Sequence, residues 1–222
     1  MRAYKNLKHE LRMAWKRYQL SSLNIPSGLG QSGWLLHGLV RAMRPKVCVE
    51  IGSAHGWSTC LTALALEQNL GGHLHAVDPH LPNDWSDPNP DRSLQALRKN
   101  LSSLSLSSRV TIIRKKTIEA KNDIPENIDF AFIDGDHSLS GVKADWEVLK
   151  PKLNPWAVVV FHDSLWEVHR QDPLYQKWRN PNMGVPSFLE GLRKEGYPLI
   201  TIDADWGLTL VQAIRGSASL CS

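Results

Sequence analysis

Cysteine is scarce in this chain of 222 residues: three, at positions 48, 60 and 221, with no spacing that would seat a metal. Two of the three fall in segments that read as buried. Neither a disulfide framework nor a zinc site is expected, and the implied setting is reduced and cytoplasmic. No apolar run approaches the length of a membrane span, so no transmembrane segment is expected. The N-terminal stretch is basic and Trp-bearing, without the apolar core or cleavage site of a secretory signal. Internal repeats, low-complexity tracts and a second domain boundary are also missing. Acid is nearly absent from residues 1–46, where nine Lys or Arg face only Glu10; that is a net +8 within a total of +4, leaving −4 for the remainder. The basic excess therefore belongs to the leading segment and reads as a solvated helix face. Nucleic-acid binding, which interleaves basic and aromatic residues across one surface, is not expected.

What is present suits one α/β domain with a full core, since 42% hydrophobic and 22% charged residues are ordinary for a globular chain of this length. Tyr4, Leu7, Leu11, Trp15 and Tyr18 recur at steps of three and four and predict an amphipathic helix with basic flanks. Such a helix could cover a site, pair with a second subunit or lie on an anionic membrane, in that order of preference. A loop at 21–33 leads to a second helix, Trp34 to Met43. Residues 1–30 are thus expected to form a helical extension, a lid or a dimer contact, and 31–215 the main domain. Strands are predicted at 47–51, 74–78, 110–113, 128–134 and 156–161, with helices at 57–66, 91–101 and 138–149 between them. A further helix to Arg193 precedes a hairpin, Leu199 to Ile202 and Leu208 to Val211. The pattern gives a doubly wound, mostly parallel seven-stranded sheet with one reversed edge strand.

The sheet is organised around Val47-Cys48-Val49-Glu50-Ile51-Gly52-Ser53-Ala54-His55-Gly56. A buried strand ends on its one charge, and two glycines bracket a turn into a helix whose free N–H groups face that turn. The three-glycine dinucleotide fingerprint is missing, because Glu50 stands at its first glycine. A carboxylate there would repel a pyrophosphate and attract a cationic amino-acid head group, which favours S-adenosylmethionine. Asp78 closes the second strand, about where such sheets place the carboxylate that holds ribose hydroxyls.

Further acids end further strands: Asp134, followed by Gly135-Asp136-His137, and the pair His162-Asp163. Ligands of open α/β sheets sit beyond these strand ends. Asp134, Asp163 and either His162 or another carboxylate could bind a divalent cation, with Mg²⁺ suited to oxygen ligands and Mn²⁺ or Fe²⁺ favoured by an imidazole. Neighbouring residues on a strand point to opposite faces, so His162 and Asp163 can face one ion only if the strand has already broken. His137 is the candidate base, its ordinary pKa lying near neutral pH.

Val47 to Thr59, Ala76-Val77-Asp78, Phe132 to Ser138 and Val160 to Ser164 together resemble class I S-adenosylmethionine-dependent methyltransferases. Within these, the chain is most similar to small-molecule O-methyltransferases related to the macrocin and cephalosporin-cluster enzymes, over about residues 30–212. The resemblance implies that Glu50, Gly52, Ser53 and Gly56 line the methionine end of the cofactor, with Trp57 and Ser58 beside it. It also implies that Asp78 holds the ribose, Thr117 lies in the adenine-side loop, and Asp134, near the cofactor, joins Asp163 and His162 at a metal with His137 as base. The expected reaction is metal-assisted methylation of a hydroxyl on a small molecule, with Mg²⁺ the first expectation for the cation and Mn²⁺ or Fe²⁺ the alternatives. Trp85, Trp166, Trp178 and Trp206 are candidates for the acceptor pocket, and a homodimer through the N-terminal helices is a further expectation. The alternatives are an oxidoreductase or hydroxylase on the same sheet, or a silent cofactor-binding protein.

Overall fold

The computed structural model describes residues 2–81, 90–166 and 183–214. Chain order is α1 (Arg2–Ser22), α2 (Gly33–Met43), β1 (Val47–Ile51), α3 (Trp57–Gln68), β2 (His73–Val77), α4 (Pro90–Ser103) and β3 (Val110–Ile113). There follow β4 (Ile128–Ile133), α5 (Leu139–Leu149), β5 (Leu153–Phe161), α6 (Val185–Lys194), β6 (Leu199–Ile202) and β7 (Leu208–Gln212).

All seven strands join one sheet in the order β3-β2-β1-β4-β5-β7-β6, parallel except for β7. The reversed strand lies one place in from the edge, between β5 and β6. The hairpin explains this: β7 takes the free side of β5, and β6, with Ile200 exposed, is left outermost. β5 begins three residues before the predicted Trp156, with an irregular register where Pro155 interrupts it.

Strands with little polar content are buried on both faces, as a helix-covered parallel sheet requires. Val49, Ile51, Ile133 and Phe161 pack against Val142, Trp146, Phe188 and Leu192 of α5 and α6. Cys48, Phe130, Phe132 and Val160 turn the other way onto α2 and α3. The apolar α3 is wrapped a second time, by Met13 and Leu20 of α1 and Leu97 and Leu101 of α4, so Ser58 to Leu66 are all buried. The chain winds outward from β1 through β2 to β3, then crosses to β4 and winds the other way. That reversal leaves a crevice beyond the carboxyl ends of β1 and β4. Among the described residues no helix is long and apolar enough to cross a membrane.

Candidate active site

Four strand ends step across the rim of this crevice. The Gly52 N–H donates to the Val77 carbonyl at 2.9 Å, Asp134 N–H to Ile51 at 2.8 Å and His162 N–H to Ile133 at 3.2 Å. Glu50, Asp78, Asp134 and Asp163 are thereby gathered on one edge.

Glu50 lies under the glycine turn and is 2% exposed. One carboxylate oxygen accepts the Thr59 hydroxyl at 2.6 Å, and the other is buried with no hydrogen-bond partner. Burial pushes its pKa up to about 7, helped by the charges of Asp134 and Asp78 and opposed by the Ser58 and Thr59 hydroxyls. The turn above it has no room for side chains: a Cβ on Gly52, at φ +85°, would stand 2.1 Å from the Asp134 carbonyl. Gly56, at φ +92°, caps α3, where Trp57 begins the helix and sends its indole N–H to the Gly30 carbonyl at 3.0 Å. The Ser53 hydroxyl is also buried without a partner.

Asp78 is occupied with the same turn. Its Oδ2 accepts the Ser53 and Ala54 N–H groups at 2.9 and 2.8 Å, and its Oδ1 accepts the His80 N–H at 2.6 Å. Thr117 gives its hydroxyl to Asp145 on α5 and is buried.

On the other side of the crevice two acids and two imidazoles interlock. His137 Nε2 stands 3.3 Å from Asp134 Oδ1 and 3.2 Å from Asp163 Oδ2. His162 Nδ1 stands 3.1 Å from Asp134 Oδ1 and 3.6 Å from Asp163 Oδ1. β5 ends at Phe161, and Asp163 takes a left-handed φ of +56°, so its side chain swings to the same side as that of His162. This break removes the alternation that would have parted them. Asp134, His162 and Asp163 each offer a ligand atom, all within 4.8 Å of one another. Burial acts against charge on both imidazoles, yet Asp163 and Asp134 raise His137 to about 8 and His162 to about 9. Burial also acts against charge on Asp134, but His162 and His137 hold it well below the usual carboxylate range. Asp163, still more enclosed, is shifted upward by its burial.

The sequence pattern of a family described as a methyltransferase domain matches residues 49–164, just over half of the chain. The chain belongs to that family. An uncharacterised protein of Sinorhizobium fredii is 31% identical over 166 residues, 69% of this chain and 18% of that protein. A rhamnosyl O-methyltransferase of Mycobacterium tuberculosis is 26% identical over 131 residues, 59% of this chain and 51% of that enzyme. The chain thus spans at most about half the length of these curated relatives. In fold it is similar to the O-methyltransferase of Bacillus cereus solved in complex with SAH, with TM-score 0.64, 19% identity and 90% of each chain covered.

In this methyltransferase domain, Glu50, Gly52, Ser53, Gly56, Trp57 and Ser58 gather at the first turn, and Asp134, His137, His162 and Asp163 form one cluster. Thr117 is directed to α5 instead of standing open in its loop. Trp166 and Trp206 stack with ring centroids 4.1 Å apart beside Met183, while Trp85 and Trp178 lie outside the described residues. Sequence reasoning assigned no role to three further residues. Gly28 borders the cluster, since a Cβ there would come within 3.7 Å of His162 and 3.9 Å of Trp206. Asp205 accepts the Ser32 N–H at 2.9 Å and tethers the segment before α2 to the β6–β7 turn. Asp145 is buried, with one oxygen unpartnered and its pKa pushed by burial to about 6. Asp145 closes the run from Asp134 that is the most specific part of the family resemblance, but its place on a helix gave no sign of its role. Gly28 and Asp205 gave none, because their neighbours are remote in sequence.

Proposed function

We propose that this protein transfers a methyl group from S-adenosylmethionine to a hydroxyl oxygen of a small molecule, with a divalent cation beside the acceptor. The observation that carries this reading is Glu50. A buried carboxylate with one unpartnered oxygen, beneath a glycine turn that admits no side chain, suits a cationic amino-acid head group and would be costly if left empty. Gly52 and Gly56 let the backbone approach that group, and the Ser53 hydroxyl is a second group awaiting a partner. Asp78 already accepts three N–H groups, which leaves one acceptor position for a ribose hydroxyl. Thr117 would border the adenine, held in place by Asp145.

The bound donor supplies a methyl on a positively charged sulfur, already electrophilic. The protein must orient the acceptor oxygen and receive its proton. His137, held between Asp134 and Asp163, would take that proton once its own imidazole is neutral, above a pH of about 8. Asp134, His162 and Asp163 would hold the cation, and the imidazole in the set favours Mn²⁺ or Fe²⁺ over Mg²⁺. Trp166 and Trp206, stacked on each other and buried with Met183, would brace the acceptor side of the crevice from within, and the acceptor would be a sugar or phenol hydroxyl. The mycobacterial relative, named as a rhamnosyl enzyme, supports the sugar.

The test is calorimetry with S-adenosylhomocysteine, followed by turnover on rhamnosides and phenols after chelation and add-back of Mg²⁺, Mn²⁺ or Fe²⁺. Binding is expected, with activity restored by the added ion. His137→Ala is expected to lose about 10²- to 10⁴-fold in kcat and keep its affinity for the homocysteine product. Absence of binding ends the proposal.

A further inference from the structure

The side of α1 turned away from the body is apolar. Leu7, Leu11, Trp15 and Tyr18 follow one stripe and are each 57–66% exposed, with the Trp15 and Tyr18 rings 5.5 Å apart. The opposite side is spent on the fold, where Met13 and Leu20 are fully buried against α3 and α4. Other large exposed apolar residues, such as Leu70, Trp156 and Ile200, sit on separate elements. By helical geometry Lys8 and Arg12 run along one border of the stripe, and Arg17 runs along the other together with one acid, Glu10. Arg12 reaches back to Glu67 at 3.1 Å while remaining 57% exposed.

We propose that α1 docks this protein on the surface of an anionic phospholipid bilayer. The stripe would enter the headgroup boundary, where Trp and Tyr are favoured, and the bordering cations would meet lipid phosphates. Charge complementarity selects this occupant over a second copy. Two chains joined through α1 would bring together two leading segments of net +8, and with them Lys8, Arg12 and Arg17 from each. Five residues, 23–27, separate the end of α1 from Gly28, beside His162, so a docked helix keeps the catalytic crevice within about 20 Å of its own C-terminal end. An acceptor carried on a lipid would then be within reach.

Flotation of the full chain with phosphatidylglycerol–phosphatidylcholine vesicles, and with phosphatidylcholine vesicles alone, tests this at low and high salt. At least about tenfold more protein is expected on the anionic vesicles at low salt, with the excess lost at high salt. Leu11→Ser/Trp15→Ser should abolish the binding. Its Tm and its affinity for S-adenosylhomocysteine should not change, because both side chains are exposed. Failure to bind, or equal binding to both vesicle types, overturns the proposal without touching the methyl-transfer reading. It is equally overturned if sedimentation velocity finds a dimer that the double variant breaks, since a second copy then covers the stripe.

Discussion

In the proposed reaction the buried Glu50 would be the side chain that reads the charge of the ligand. Its folded-state pKa of about 7 means that near neutrality the free protein holds a mixture of acid and carboxylate. A cationic head group binds the carboxylate and not the acid. Affinity for S-adenosylhomocysteine should therefore be full above pH 7 and weaken below it, by up to about tenfold per pH unit. Glu50→Gln should bind about 10- to 100-fold more weakly at pH 8 and lose this pH dependence. Calorimetry across pH 5.5 to 8.5 measures both, and a flat wild-type profile would show that no cation meets Glu50. The residue was legible in sequence because a lone charge ending an apolar strand stands out. Asp145 was not, because an acid on an amphipathic helix reads as solvated until the packing of α5 puts it inside.

Among the elements, the β1–turn–α3 unit carries the densest constraint, and it was also the most legible. Apolar strand, two glycines and apolar helix all agree on one structure. Gly52→Ala tests the constraint. The substitution combines a left-handed φ with a Cβ 2.1 Å from the Asp134 backbone, which has no flexible atom to yield. The expected cost is about 2–5 kcal/mol in chemical denaturation, with cofactor affinity lost in whatever fraction stays folded. A cost under about 1 kcal/mol would mean that the turn and the β4 end are less tightly apposed. The placing of β7 was less legible. Local sequence announces a hairpin, but which of its strands takes the side of β5 depends on pairings across about fifty residues, Val159 with Val211 for example. The tether from Asp205 to Ser32, 173 positions apart, left no local trace for the same reason.

For the molecule as a whole, stability and the candidate cation site are linked through protons. Above pH 6.5 the folded chain holds protons that the unfolded chain releases: on Glu50 up to about 7, on His137 up to about 8 and on His162 up to about 9. The unfolded state thus binds fewer protons, and stability must fall as pH rises through this window. His37, His73, His75 and His80 are shifted the other way, chiefly by burial. They make stability rise with pH only below 6.5, because above it they are neutral in both states. Denaturation of the ion-free protein should therefore lose on the order of 2–5 kcal/mol between pH 6.5 and 9. A cation held by Asp134, His162 and Asp163 must displace the proton from His162. With saturating Mn²⁺ the folded chain no longer carries that excess proton, so the decline should flatten and the gain from the ion should grow with pH. Equal slopes with and without Mn²⁺ would mean that the protonated His162, and no metal, is the cation between the two aspartates.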